Sequence, residues 1–128
     1  MKLSAASQHN GQSAIALHAN PSANYSQKVA ETLALLQQAA TEFSPVTQAS
    51  SLGAEDVVIT HLINHKALNI PVFVLETGAL HRETLALLER TQAHSKAVVN
   101  VYRPDNEKVI AFVKKHGQDA MYESLELR

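Results

Sequence analysis

Pro71-Val72-Phe73-Val74-Leu75-Glu76-Thr77-Gly78-Ala79-Leu80-His81 is the stretch that decides the fold of this chain. Residues 71–76 form the apolar run expected of a strand covered on both faces. A small-residue loop follows, and then a helical pattern over residues 82–94 that turns Leu85, Leu87 and Leu88 inward. Upstream, residues 46–50 make a short, rather polar candidate strand, and residues 57–66 a helix with Val58, Ile59, Leu62 and Ile63 inward. Downstream, residues 98–102 are a third strand. Pro104-Asp105 then opens a helix with Asp105 as N-cap, Glu107 in its first turn and Val109, Ile110, Phe112 and Val113 on its apolar face. Lys114, Lys115 and His116 complement the negative end of that helix, and Gly117 supplies its closing turn. Strands alternating with helices predict an α/β fold, a parallel sheet with flanking helices joined by right-handed crossovers.

Ahead of this alternation, Val29, Leu33, Leu36, Ala40 and Phe43 recur at helical spacing and predict a helix over residues 26–42. Ser26 suits its N-cap. Ser44-Pro45 ends it, because proline lacks an N–H and restricts the residue before it. Residues 1–24 are rich in Ser, Asn, Gln, Gly and Ala and are expected to be a loose arm. Within them, residues 14–17 fit a short strand or a turn of helix equally. Residues 25–128 are then the single domain that a chain of 128 residues suggests.

Composition narrows the classes. A chain of this size buries roughly 65–70% of the surface its unfolded form exposes, enough for a real core. An apolar fraction of 45% and a charged fraction of 18% describe an ordinary globular protein. The net charge of −1 comes with no basic patch, so duplex nucleic acid is not an expected partner. The apolar runs are far too short to span a bilayer, and residues 1–18 lack the layout of a secretory signal, so no membrane is expected and the cytoplasm is the default compartment. There is no cysteine, which removes disulfides, zinc thiolate sites, iron–sulfur ligands and cysteine nucleophiles together.

Ligands of an open parallel sheet bind beyond the carboxyl ends of its strands. Two loops lie there. In Ser50-Ser51-Leu52-Gly53-Ala54-Glu55-Asp56, small residues let backbone approach a bound group, the serines add hydroxyl donors, and the following helix presents unpaired N–H groups to a phosphate or sulfate. The same composition also fits a tight turn whose Glu55 and Asp56 favour the helix N-terminus, and both acids repel an anion unless they face away or hold a cation. After the second strand, backbone groups around Leu75, Glu76, Thr77 and Gly78 suit an adenine edge, Thr77 and His81 polar parts of a ligand, and Arg82 an anion. A plain connection with a turn at Gly78 fits that segment too. His61 and His65 stand at a zinc-compatible helical spacing, but with no cysteine and no acidic third ligand in a recognised pattern no metal site is expected. Tyr25, Tyr102 and Tyr122 are scattered and suit packing.

Ser-Ser-Leu-Gly-Ala-Glu-Asp-Val-Val-Ile-Thr from Ser50, then Ile-Pro-Val-Phe-Val-Leu-Glu-Thr-Gly-Ala-Leu-His-Arg-Glu-Thr from Ile70, and the closing Gln-Asp-Ala-Met-Tyr-Glu-Ser-Leu-Glu-Leu-Arg from Gln118 resemble the adenylyl sulfate and phosphoadenylyl sulfate reductases over about residues 44–128, in one register and in order. The resemblance implies an adenine nucleotide α-hydrolase-like, Rossmann-like fold. It implies that residues 50–56 are a modified pyrophosphatase-type loop for the sulfate and phosphate end, that Leu75, Glu76, Thr77 and Gly78 receive adenosine, and that residues 122–128 lead toward an active-site cap.

It further implies a thioredoxin-dependent reduction of adenylyl sulfate, or its 3′-phosphorylated form, to sulfite and AMP (or its 3′-phosphate) in sulfate assimilation and cysteine biosynthesis. The Gly-Ala-Glu-Asp loop and the Tyr-Glu-Ser-Leu-Glu-Leu-Arg ending are closer to the adenylyl sulfate type. Family members commonly carry Asp at the position of Glu76, Arg at Ala79 and often Pro at Arg82, and they continue into a part with a nucleophilic cysteine. The adenylyl sulfate type also has cysteines for a four-iron cluster. None of these cysteines is here, so this stretch is expected to be a truncated, nucleotide-binding half with no catalytic residue and no cofactor of its own, and to self-associate through the surface the missing half would cover. The alternatives are an ATP-binding pyrophosphatase-type enzyme of the same fold, whose usual Ser-Gly-Gly-x-Asp-Ser loop residues 50–56 do not match, and a non-catalytic oligomeric protein.

Overall fold

The structure is a computed structural model in which residues 13–17 and 19–127 are described. Residues 1–12 and 18 of the expected arm, and Arg128 of the expected lead to a cap, lie outside the described residues. The chain divides into two compact units, Met1–Leu35 and Leu36–Arg128.

In the first unit the ambiguous residues are helical. Ala14–Leu17 form a single turn, α1, opened by the Ser13 hydroxyl accepting the Ala16 N–H at 3.2 Å. Helix α2, Tyr25–Glu42, contains the division point. It starts one residue earlier than its sequence predicts. The Asn24 carbonyl accepts the Lys28 N–H, so Asn24 is the cap and Ser26 sits inside the first turn.

In the second unit α2 keeps Leu36 and Ala40 half-buried. Phe43, expected on the same stripe, is 67% exposed. It follows the last helical residue, and the helical period that aligned it with Ala40 ends there.

The sheet has three parallel strands in the order β1-β2-β3: Gln48–Ala49, Val72–Leu75 and Val99–Tyr102. The decisive apolar run is the central strand. β1 is shorter than the predicted residues 46–50. Pro71 accepts the Gln48 N–H with its carbonyl but has no N–H to return, so the ladder stops there. Val72 and Val74 on one face of β2 are buried, and Val74 packs with Leu52 and Leu88, joined by Leu87, Val99 and Val101. The other face departs from expectation. Phe73 is half-buried, edge-on to Tyr102 at 5.9 Å, and Leu75 is 58% exposed. Side chains alternate along a strand, so a continuous apolar run does not by itself show that both faces are covered.

Helix α3, Ala54–His65, starts three residues before the predicted 57. Its inward stripe is Thr60, Leu62 and Ile63, with Ile59 half-buried. Val58, expected inward, is exposed. The helix is turned so that the Thr60 hydroxyl meets Gln48 Oε1 at 2.9 Å, while Gln48 Nε2 donates to the Asp56 carbonyl. This pair locks β1 to α3. At the far end Ala67 adopts φ 50°, and the Leu68 and Ala67 N–H groups close on the Ile63 and Asn64 carbonyls. Helix α4, Arg82–His94, has the predicted bounds, with Leu88 buried, Leu87 half-buried and Leu85 more open than expected. Asn64 Oδ1 accepts from the Ser95 hydroxyl and the Lys96 and Ala97 N–H groups, which fixes the approach to β3.

Helix α5, Asn106–His116, is capped as predicted by Asp105, whose carboxylate accepts the Glu107 and Lys108 N–H groups, and Gly117 follows at φ 95°. Its apolar face is not core: Val109, Ile110 and Val113 are exposed and only Phe112 is half-buried. The short helix α6, Ala120–Glu123, and a 3₁₀ turn, Leu125–Leu127, follow. Among the described residues no helix is long and apolar enough to cross a membrane.

Candidate functional site

All three strands are parallel, so their carboxyl ends and the loops that leave them share one edge of the sheet. A cavity of about 480 Å³ opens at the ends of β1 and β2. Phe73, Leu75 and Leu80 form an apolar wall, and Ser50, Ser51 and Asp56 a polar one, with Ala49 and Val74 beneath. Four residues named from sequence, Ser50, Ser51, Asp56 and Leu75, are thus brought together.

The polar wall is a self-bonded loop. Asp56 Oδ2 accepts both the Ser51 N–H at 2.6 Å and the Ser51 hydroxyl at 2.7 Å. Ser50 Oγ accepts the Leu52 N–H, and Ser51 Oγ the Gly53 N–H. The Ser51 hydroxyl, followed by the Ser51 N–H, holds the Asp56 carboxyl below its ordinary value of 3.8, against a smaller opposing effect of burial. Asp56 is therefore a carboxylate at neutral pH and faces the loop rather than away from it. It uses the Ser51 donors that sequence assigned to an anion. The Ser50 hydroxyl lines the cavity and, among the described residues, accepts only the Leu52 N–H, and the first amides of α3, Ala54, Glu55 and Asp56, have no acceptor within the helix.

The conformational strain of the loop is not where glycine suggests. Gly53 has φ −65° and ψ 167°, open to any residue, whereas Leu52 takes φ 65°. Leu52 is held there by burial in the core and by its N–H bond to Ser50. It points away from the cavity and lines a second groove of about 370 Å³, between α3 and α4, together with His61, Arg90 and His94. Sequence reasoning named Leu52 and His61 separately, without placing them in one groove.

The remaining sequence candidates do not line the cavity. Gly53, Ala54 and Glu55 open α3. Glu76, Thr77 and Gly78 form the turn after β2, where Glu76 Oε1 accepts the Gly78 N–H at 2.7 Å and Thr77 Oγ1 the Ala79 N–H at 3.4 Å. His81 is the N-cap position of α4 and makes no side-chain cap bond. Arg82 is exposed at the first turn of α4. Sequence reasoning missed Phe73 and Leu80 in the apolar wall. Alternation along β2 places Phe73 on the face of Leu75 and was the available signal for it. It also missed Arg103, which follows β3 and pairs with Glu76.

His61 and His65 stack at 6.0 Å, and among the described residues no group of three or more His, Asp or Glu is gathered for a metal ion. A four-iron cluster of the kind the family resemblance implies does not fit this chain, because a cysteine-free sequence offers it no thiolate.

Residues 45–127 match the family described as phosphoadenosine phosphosulfate reductase domain. The chain is similar to the adenosine 5′-phosphosulfate reductase of Burkholderia cepacia, 41% identical over 101 residues that cover 79% of this chain and 40% of the relative. It is 36% identical to the enzyme of that name from Allochromatium vinosum over 99 residues, 77% of this chain and 39% of the relative. The one from Neisseria meningitidis serogroup B is 47% identical over 81 residues, 62% of this chain and 33% of the relative. The chain therefore spans about two fifths or less of the length of these relatives.

Proposed function

This chain belongs to the phosphoadenosine phosphosulfate reductase domain family, and on that premise we propose that residues 25–128 are the N-terminal, nucleotide-binding part of a reductase that converts adenylyl sulfate to sulfite and AMP in the cytoplasm. The cavity at the ends of β1 and β2 carries this proposal. It joins an apolar wall for a flat base to the start of α3, the end of a helix that favours an anion. Adenine lies against Phe73, Leu75 and Leu80, with the backbone of Glu76, Thr77 and Gly78 at its edge. The phosphate and sulfate take the Ser50 hydroxyl and the amides of Ala54, Glu55 and Asp56. Leu52 and Gly53 shape that loop, and Arg82 contributes charge from α4. The ionised Asp56 confines the ligand's anionic end to the amide side of the loop. The names of the relatives support adenylyl sulfate over the 3′-phosphorylated form.

In the proposed reaction a cysteine thiolate attacks the ligand's sulfur. The bond from sulfur to the phosphate oxygen breaks, and AMP leaves with the electron pair. One thiolate of reduced thioredoxin then attacks the cysteine sulfur of the enzyme S-sulfonate, and sulfite leaves with the sulfur–sulfur electron pair. The second thioredoxin thiol resolves the mixed disulfide, which frees the enzyme thiol and leaves thioredoxin as its disulfide. Residues 1–128 contain no such thiol, so their contribution is to bind and orient the nucleotide, in an oligomer of the chain. Titration calorimetry with adenylyl sulfate, phosphoadenylyl sulfate and ATP tests the assignment. Tightest binding of adenylyl sulfate is expected. Preference for ATP with release of pyrophosphate points instead to a pyrophosphatase-type enzyme, and silence toward all three removes the nucleotide site.

A further inference from the structure

The turn after β2 is held by hydrogen bonds rather than by packing. Thr77, Gly78 and Ala79 are all exposed. Gly78 stands at φ 83°, and nothing lies within 4 Å of where a side chain on it would start. The Glu76 carboxylate closes this turn, one oxygen accepting the Gly78 N–H at 2.7 Å. Its other oxygen meets Nε of Arg103 at 3.0 Å, and the Glu76 side chain is only 15% exposed. The Glu76 backbone is tied to the same place, its N–H donating to the Tyr102 carbonyl at 2.9 Å. A glutamate side chain has three rotatable bonds, and a single bond to Gly78 would leave it free to turn toward water. A carboxylate with both oxygens engaged has one orientation. Because β2 and β3 are in parallel register, with Leu75 opposite Tyr102, Arg103 is the residue that the end of β3 delivers beside Glu76.

We infer that Arg103, acting through Glu76, fixes the turn of residues 76–78 that receives adenosine and is thereby a positioning residue for base recognition. This rests on the nucleotide-binding proposal above. Arg103 does not touch the base. It sets the direction of the Thr77 and Gly78 backbone groups that meet the base edge. An ion pair whose arginine is 63% exposed has modest strength, so the effect is a change in discrimination of about fivefold rather than a loss of binding.

The test measures dissociation constants of AMP, GMP and inorganic pyrophosphate for the full chain and for Arg103→Ala, Arg103→Lys, Glu76→Gln and the Arg103→Ala/Glu76→Gln double variant. Arg103→Ala should lower the AMP-over-GMP preference about fivefold and leave pyrophosphate affinity unchanged. Arg103→Lys should recover part of the preference, and the double variant should be no worse than Glu76→Gln alone, as expected of two residues acting as one unit. Additive losses, an unchanged preference in Arg103→Ala, or pyrophosphate affinity falling in step with AMP would overturn the inference. Failure of the parent chain to bind AMP or adenylyl sulfate overturns the nucleotide-binding proposal and this inference with it, and is seen before any variant is made.

Discussion

Asp56 Oδ2 accepts two hydrogen bonds from one residue, the Ser51 N–H at 2.6 Å and the Ser51 hydroxyl at 2.7 Å. Both bonds favour the ionised carboxyl and hold it below 3.8. A depressed folded-state value means stability that is fully present above the unfolded value and is lost as pH falls through the lower, folded one. Asp56→Asn should therefore be less stable than the parent at neutral pH, with the gap closing below about pH 4. Urea unfolding midpoints of the two proteins across that range check this. A gap that is constant with pH would mean that the Ser51 clasp is absent in solution.

Gly53→Val separates folding from binding. The backbone at Gly53, φ −65° and ψ 167°, suits a β-branched residue. A Cβ there would sit 3.2 Å from Ser51 Oγ and 3.5 Å from Glu55 Oε2, against the anion side of the loop. The variant should keep its circular dichroism spectrum with a small loss of stability where the Cβ presses on Ser51 Oγ, while adenylyl sulfate binds roughly tenfold more weakly, about 1.4 kcal/mol. Unchanged affinity in the folded variant takes the loop out of the site.

Ala67 is a left-handed residue at the end of α3, at φ 50° and exposed. The bonds from Leu68 to Ile63 and from Ala67 to Asn64 form the closing motif in which glycine is usual. Ala67→Gly removes the Cβ clash and adds some unfolded-chain entropy, for a net gain of roughly 0.5–1 kcal/mol. A higher urea midpoint with unchanged slope is the expected result. A lower one would show that Ala67 leaves the left-handed region in solution.

These cases show which features the sequence carried and which needed three dimensions. The strand-helix alternation, the bounds of α4 and the Asp105 cap were legible because local signals determine them: an apolar run, helical spacing, an acidic residue two before the amide it caps. The left-handed Leu52 was not legible, because burial against Val74 and Leu88 holds it at φ 65° and no local pattern reports tertiary packing. Arg103 was invisible for a similar reason. Its pairing with Glu76 spans 27 residues and depends on the register of β2 and β3. The α5 face was legible as apolar but not as uncovered, since periodicity says which residues share a side and not what packs on it.

The uncovered side chains give a further expectation. In the unit of residues 36–128, Phe43, Val98, Ile110, Tyr122 and Leu125 are all more than half exposed. Exposed apolar side chains favour association where they join into a contiguous patch. Sedimentation at rising concentration should show dimers or larger species that dissociate in mild detergent. A monomer at all concentrations with a high melting temperature would count against it.

Catalysis gives the sharpest expectation. Reduction at sulfur needs a nucleophile whose adduct a second thiol can resolve. A thiolate meets that need, because its S-sulfonate has a sulfur–sulfur bond open to exchange. A serine at the same place would form a sulfate ester and a histidine an amide-like adduct, and neither is a substrate for thiol exchange. The 128 residues contain many serines, seven histidines and no cysteine. Protein whose mass confirms these residues should therefore bind adenylyl sulfate and yet release no sulfite when supplied with thioredoxin and its reductase. Turnover above background from such protein would overturn both the thiolate mechanism and the division of labour proposed for this chain. In any longer natural chain that contains these residues, the expectation is a cysteine beyond Arg128. Changing that cysteine to serine should abolish sulfite release and leave the dissociation constant of adenylyl sulfate unchanged, since the groups proposed to hold the nucleotide lie within residues 50–82.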